Sequence, residues 1–157
     1  MGVAKLWADA DTPYAPRYKF KILVPGSGKY AGGNPVKGEG ADCSGATWKI
    51  YEEAGFSYGS YHDTATFPAL VGTDANFIKG KHFFKKVDTP QVGDIGWWNG
   101  HMAIYDPNAG KTEKGLVGNL WSASHPDGRD FGSARVDFYD NKHDHGTVNW
   151  YRYWKAP

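Results

Sequence analysis

Residues 38–56, GEGADCSGATWKIYEEAGF, change from a glycine-rich loop into a helical pattern at the only cysteine of the chain. Asp42 is a residue type that caps helix N-termini, and Gly55 is typical of a helix end. Small and apolar residues recur between them at the spacing of one helical face, namely Ala46, Ile50 and Ala54, with Thr47 and Tyr51 beside them. The stretch therefore predicts a helix from Asp42 to Gly55 with Cys43 in its first turn.

Segments after this helix predict β-strands. Residues 90–110, PQVGDIGWWNGHMAIYDPNAG, read as two strands joined by a tight turn at Asn99-Gly100. Further strands are predicted within residues 115–124, 134–139 and 148–154. The last of these is crowded with aromatic side chains, which suit a pleated and half-buried surface. A helix followed by an antiparallel sheet predicts an α+β fold.

The regions before and between these elements are less regular. Residues 1–29 are interrupted by prolines around one short extended run, residues 18–24, and predict an arm wrapped on the domain. Residues 30–40 form a glycine-rich loop that can approach another group closely. A short helix is expected near residues 64–71. We therefore expect one domain over residues 30–157, preceded by the arm.

The composition excludes several classes of protein. The length of 157 residues fits a single domain. Hydrophobic residues make up 40% and aromatic residues 16%, at a mean hydropathy of −0.61, as in a globular protein with a polar exterior. The 18 basic and 17 acidic residues leave a net charge of +1 with no basic run, so nucleic acid is not an expected partner. No stretch approaches the ~18 apolar residues of a membrane span.

Cys43 has no second cysteine with which to form an internal disulfide, so it is an inert buried residue, a reactive group or a link to another chain. A helix start favours the thiolate, because unpaired N–H groups and the helix dipole concentrate positive potential there. His101 opens a predicted strand, from which a rigid backbone could hold its imidazole against the thiol as a general base. Taken alone, Cys43 would be read as a small buried hydrophobic residue.

Two segments together resemble a known family. DCSGATWKIYEEAG, residues 42–55, and PQVGDIGWWNGHMAIYD, residues 90–106, are similar to the NlpC-type family of papain-like cysteine peptidases, which are bacterial cell-wall endopeptidases. YAGG, which begins thirteen residues before Cys43, resembles the tyrosine-and-paired-glycine element of that family. The resemblance extends over residues 30–125. It implies a papain-like α+β fold, in which a helix bearing Cys43 packs on an antiparallel sheet bearing His101.

The resemblance also implies a mechanism. His101 keeps Cys43 as a thiolate or takes its proton, and the sulfur attacks an amide carbonyl. The backbone N–H of Cys43 and the hydroxyl of Tyr30 would stabilise the oxyanion. His101 then protonates the leaving amine, and water hydrolyses the thioester. Asp42 is assigned to helix capping, because a carboxylate beside the thiol would raise its pKa.

The third catalytic residue, which orients the imidazole, is where the sequence departs from the family pattern. The common family form has a polar residue, often histidine, on the next strand, and residues 115–124 contain no histidine. Asn119 is our first choice, because an asparagine carbonyl can accept the imidazole N–H. Ser122 is the alternative, selected if SAS rather than GN is aligned with the family strand. The two lie on opposite faces of a regular strand, so at most one is expected to point at His101.

Other aromatic and histidine residues have less specific interpretations. Trp97 and Trp98 could line a cleft for a glycan or peptide, but adjacent strand residues face opposite sides, so we expect one of the two near the substrate. His143 and His145 could bind a metal, yet two ligands one residue apart in a polar loop are more often solvated. No metal or cofactor is therefore expected.

The function implied by the resemblance is hydrolysis of an amide bond in peptidoglycan stem peptides, between D-glutamate and the diamino acid. The start of the chain lacks the apolar stretch of a signal peptide. We therefore expect delivery to a target periplasm or cell wall by a non-Sec route, either as an antibacterial effector with an immunity protein as partner or as a phage lytic enzyme. The alternatives are an N-acetylmuramoyl-L-alanine-type amidase, an acyltransferase or deamidase on the same scaffold, and a non-catalytic cell-wall-binding module.

Overall fold

The structure of the protein, a computed structural model, describes most of the chain. The described residues are 2–9, 12–15, 19–27, 29–36, 39–111, 117–124, 129–134 and 147–154. The backbone alone is described at residues 110, 111, 117–119, 124 and 129–134. Within these residues the chain has two α-helices and six strands: α1 Gly2–Asp9, α2 Cys43–Glu53, β1 Phe84–Val87, β2 Ile95–Trp98, β3 His101–Lys111, β4 Val117–Ser124, β5 Arg129–Ala134 and β6 Asn149–Tyr153.

The strands form one antiparallel sheet in the order β1-β6-β2-β3-β4-β5. The prediction of an α+β fold with an antiparallel sheet is therefore confirmed. The last strand, β6, lies between β1 and β2, so the aromatic C-terminal segment is an interior strand of the sheet. No helix among the described residues is long and apolar enough to cross a membrane.

The hairpin of β2 and β3 lies where the sequence predicts it. Trp98 pairs with His101 across the turn at Asn99 and Gly100, and Gly100 has a φ of +86°. Glycine adopts this positive φ without the strain that a Cβ would bring. His101 is therefore the first residue of β3, at one end of the sheet.

Helix α2 packs on one face of the sheet and has the boundaries that the pattern predicts. Its residues Ala46 and Ile50 are buried in the main core, together with Ile95, Ile104 and Tyr151 of the sheet. Ala54, which was expected on the same face, is exposed. Strand residues that alternate with the main-core positions form a second cluster on the opposite face of the sheet. Its buried members are Trp98, Ala103 and Leu120.

Other elements differ from the sequence-based expectation. Residues 2–9 form α1 rather than irregular chain, and α1 buries Ala4 and Trp7 in the main core. A helix of eight residues is marginal by itself, so this burial and not local propensity accounts for it. Strand β1 lies in a region where no strand was predicted.

Three further expectations are corrected or left open. The run expected over residues 18–24 makes, in its described part from residue 19 on, isolated bridges rather than a strand, Phe20 to Gly40 and Leu23 to Tyr30. The expected short helix near residues 64–71 is the 3₁₀ helix Phe67–Leu70. Of the strand expected at residues 134–139, the structure describes only the first residue, and the others lie outside the described residues.

The N-terminal segment is clamped to the residues just before α2. The backbone N–H of Ala41 donates to the Pro13 carbonyl at 2.8 Å, and the N–H of Ala15 donates to the Ala41 carbonyl at 3.2 Å. Gly40 permits this approach, because a Cβ at that position would lie 1.9 Å from the Pro13 oxygen. Residues 13–15 therefore lie directly against the start of the helix that carries Cys43.

We predict that Gly40→Ala destabilises the protein by about 1–3 kcal/mol, because the new methyl group overlaps backbone atoms that cannot swing aside as a side chain can. Urea unfolding followed by circular dichroism measures the loss. Gly2→Ala is the matched control, because a Cβ at Gly2 meets no atom within 4 Å and alanine favours a helix. An equal stability of Gly40→Ala and wild type would show that the clamp is not tight.

Candidate active site

The first turn of α2 is capped as the sequence predicts. Asp42 is extended, and its Oδ1 accepts the backbone N–H of Gly45 at 2.7 Å. The hydroxyl of Ser44 donates to the same oxygen at 3.3 Å, and it lies 2.8 Å from the hydroxyl of Tyr61. Since a hydroxyl has one proton, Tyr61 is then the donor to Ser44. The capping role of Asp42 is confirmed, and a phenol is tied to the same turn.

Cys43 is the first residue of α2, and its thiol is held in the protonated form. Burial raises the pKa of the Cys43 thiol to about 12, and the charge of Asp42 adds to the increase. The backbone N–H groups of Met102, Ser44 and Cys43 itself point to the sulfur and oppose the increase. The side chain is only half-buried, yet it is closely packed against the main core. The helix start was expected to favour the thiolate, but desolvation and Asp42 outweigh that effect.

His101 is buried, with 1% of its surface exposed, and a defined neighbour holds its ring. Its Nε2 lies 3.1 Å from Ser122 Oγ. The Ser122 hydroxyl is also 3.1 Å from the Met102 carbonyl and 3.0 Å from the Ala123 carbonyl. Both carbonyls only accept, so the serine proton can go to one of them while the serine oxygen accepts from Nε2–H. In a neutral imidazole this arrangement places the lone pair on Nδ1.

Cys43 and His101 lie on opposite sides of the sheet at the beginning of β3. The Met102 N–H that points to the Cys43 sulfur belongs to the residue directly after His101. Strand alternation turns Met102 toward α2, whereas His101 shares the other face with Trp98, whose ring centroid lies 5.5 Å from the imidazole. The Cys43 sulfur therefore lies on the α2 side of the sheet, whereas the imidazole predicted to be its base points to the other side.

The two candidates for the third residue differ in what the structure describes. Ser122 contacts His101 and is itself buried, with 4% of its surface exposed. Asn119 lies in β4, but its side chain is outside the described residues. The assignment of Asn119 to orient the imidazole therefore stays a prediction, and the contact that is described belongs to Ser122.

The two adjacent tryptophans divide between surface and core. Trp98 is fully buried, so it packs behind His101 and has no surface for a ligand. Trp97 is half-buried, and its indole N–H donates to the Thr64 carbonyl at 2.8 Å. Of the pair, only Trp97 keeps surface with which to meet a substrate, and that role stays a prediction.

The described contact of Tyr30, the tyrosine expected near the sulfur, is with another residue. The Tyr30 hydroxyl lies 3.0 Å from Thr12 Oγ1, which itself donates to the Trp7 carbonyl at 3.0 Å. Tyr14, which was not among the predicted site residues, has a hydroxyl on which the charges of Asp42 and Cys43 act. No spacing in the sequence connects Tyr14 with Cys43, because the connection is a backbone bridge between segments distant in the chain.

Two histidines of the sequence are candidate metal ligands. His143 and His145 lie outside the described residues. Within the described part of the chain, no group of three or more histidine, cysteine, aspartate or glutamate side chains could hold a metal ion. Comparison of the chain with known protein families, with curated proteins and with solved structures gives no match.

We predict that alkylation of Cys43 by iodoacetamide keeps accelerating, about tenfold per pH unit, from pH 7 to pH 10, because its raised pKa leaves the reactive thiolate a minor form throughout. A thiol in a short peptide levels off near its pKa of about 8.5. Mass spectrometry of the modified chain gives the rate at each pH.

Asp42→Asn is the companion variant. Asparagine caps a helix as well as aspartate does, but it removes the negative charge beside the sulfur. Alkylation should therefore be faster than in wild type at every pH below 10. A wild-type rate that levels off below pH 9 would contradict the raised pKa and favour a thiolate at rest.

Proposed function

We propose that the protein is a cysteine hydrolase of papain-like type that cleaves amide bonds in peptidoglycan stem peptides. The observation that carries the proposal is the buried contact of His101 Nε2 with Ser122 Oγ, made beside the residue whose N–H points to the Cys43 sulfur. A histidine anchored at one ring nitrogen, on the strand that packs against a helix with a cysteine at its start, has the components of a base and its nucleophile.

The proposed reaction starts from a neutral pair, because the thiol is protonated at neutral pH. The step requires His101 Nδ1 to reach the thiol around the start of β3, where Nδ1 takes the Cys43 proton while the sulfur forms a bond to the amide carbon. Two donors stabilise the negative charge that develops on the carbonyl oxygen. One is the backbone N–H of Cys43, because N–H groups in the first turn of a helix have no carbonyl partner within the helix. The other is a tyrosine hydroxyl, which the family resemblance assigns to Tyr30.

The second half of the reaction returns the proton. The imidazolium of His101 gives its Nδ1 proton to the leaving amine as the C–N bond breaks, which leaves a thioester on Cys43. A water molecule, deprotonated by His101, then attacks the thioester, and the thiol leaves with the proton. Ser122 acts throughout as the positioning residue. Its oxygen accepts a hydrogen bond from Nε2–H, and this bond keeps the lone pair of the imidazole on Nδ1.

The substrate class is proposed from the resemblance of the segments around Cys43 and His101, with the bond between D-glutamate and the diamino acid as the preferred target. An amidase acting at the muramoyl–alanine bond, and acyl transfer or deamidation, use the same nucleophile. Delivery as an antibacterial effector with an immunity protein, or as a phage lytic enzyme, belongs to the same proposal.

A second candidate is a non-catalytic cell-wall-binding module, and the high pKa of the Cys43 thiol favours it. Purified sacculi incubated with wild type and with Cys43→Ala separate the two. We expect new soluble peptides from wild type alone, because alanine has no nucleophile, and mass analysis of the peptides identifies the bond. Equal binding of both forms without release of peptides would reject hydrolysis.

The third residue is tested by paired variants. Ser122→Ala should lower kcat roughly 10- to 100-fold with a small change in KM, because the imidazole loses the partner that selects its tautomer. Ser122→Thr, which keeps a hydroxyl, should recover part of the activity. If Asn119→Ala causes the larger loss and Ser122→Ala leaves kcat unchanged, Asn119 is the orienting residue.

A further inference from the structure

We propose that Tyr14, rather than Tyr30, supplies the phenolic hydroxyl that stabilises the oxyanion formed at Cys43. The inference rests on the proposed hydrolytic function, and it assigns a catalytic role to a residue far from Cys43 in the sequence. Its basis is the position of residues 13–15 against the start of α2.

The backbone holds Tyr14 beside the nucleophile. Tyr14 and Ala41 form a parallel bridge, with backbone hydrogen bonds on either side of the tyrosine, from Ala41 to Pro13 at 2.8 Å and from Ala15 to Ala41 at 3.2 Å. Ala41 is two residues before Cys43. Because both neighbours of Tyr14 are bonded to the same short segment, the tyrosine has a fixed backbone position relative to the helix start.

The close approach of the two segments depends on a residue without a side chain. A Cβ at Gly40 would lie 1.9 Å from the Pro13 oxygen and 2.6 Å from the Pro13 carbonyl carbon. Any other residue would therefore push the segment that carries Tyr14 away from α2. The glycine next to the helix cap and the tyrosine of the N-terminal segment together form one structural unit.

The phenol of Tyr14 has the properties of a hydrogen-bond donor at this place. Its side chain is half-buried and packs against the main core, as Cys43 does. Burial, followed by the charges of Asp42 and Cys43, raises the pKa of Tyr14 to about 12, so the hydroxyl keeps its proton at neutral pH. A protonated phenol held near a developing negative charge stabilises it without transferring the proton.

Tyr30, the residue that the family resemblance selects, has its proton in use elsewhere. Thr12 Oγ1 donates to the Trp7 carbonyl, and the threonine has one hydroxyl proton, so the Tyr30 hydroxyl donates to Thr12. An oxyanion donor at Tyr30 would first have to break this contact. The geometry therefore assigns Tyr30 to the attachment of the N-terminal segment, and the fixed backbone position of Tyr14 against the helix start favours it for the oxyanion role.

The test compares two reactions of the full-length protein at Cys43. Acylation by p-nitrophenyl acetate forms a tetrahedral oxyanion, whereas alkylation by iodoacetamide is a direct displacement that forms none. Tyr14→Phe should slow acylation about 10²-fold, the usual effect of losing one oxyanion donor. Alkylation at the same pH should change by less than about threefold, since the thiol and its base are unaltered.

Two further variants complete the comparison. Tyr105→Phe, four residues along β3 from His101 on the face of the sheet away from α2, is the control and should react like wild type in both assays. Tyr30→Phe should reduce the acylation rate less than Tyr14→Phe does and lower the unfolding midpoint instead, because it loses the contact with Thr12.

The outcomes separate this inference from the proposed function. Equal losses in acylation and alkylation by Tyr14→Phe would overturn the inference, since they would indicate a disturbed site, and so would a larger acylation loss in Tyr30→Phe. Acylation of Cys43 without cleavage of sacculi would contradict the peptidoglycan substrate while still deciding the role of Tyr14. A wild-type protein that forms no acyl-enzyme would refute both.

Discussion

The hydrogen bond from the Gly45 N–H to Asp42 Oδ1 determines where α2 begins, and the position of the candidate site depends on it. With the cap at Asp42, Cys43 becomes the first helical residue, and its sulfur reaches the N–H of Met102 at the start of β3. The charge of the same carboxylate disfavours the thiolate of Cys43, because it raises the pKa of the thiol beside it. One side chain thus sets the position of Cys43 and adds to the burial that keeps its thiol protonated.

The potential of the helix start and the burial of the thiol have opposite effects on the ionisation of Cys43. A helix start stabilises a thiolate by a modest and local potential, whereas burial acts against the charge from all sides. With burial dominant, attack by Cys43 needs a base that takes the proton during the reaction. His101 is the proposed base, and Ser122 contacts it at Nε2 inside the protein.

Local signals in the sequence were sufficient for the elements that carry the two central residues. The cap, the helical spacing and Gly55 predicted α2, and Asn99-Gly100 between apolar runs predicted the β2–β3 hairpin that begins β3 at His101. Such signals depend on a few neighbouring residues, so they can be recognised in the sequence without knowledge of the fold. Helix α1 and strand β1 were missed because burial and pairing with distant segments, not propensity, form them.

The sequence by itself determined the α+β class, the helix with Cys43 at its start and the strand with His101 at its start, because caps, turns and periodicity are encoded in neighbouring residues. Only the tertiary structure decided what surrounds these two groups. It brought Ser122 to His101, attached Tyr30 to Thr12, and set Tyr14 against the helix start through Gly40. It also gave the thiol its high pKa, since burial is a property of the packed chain and of no single motif.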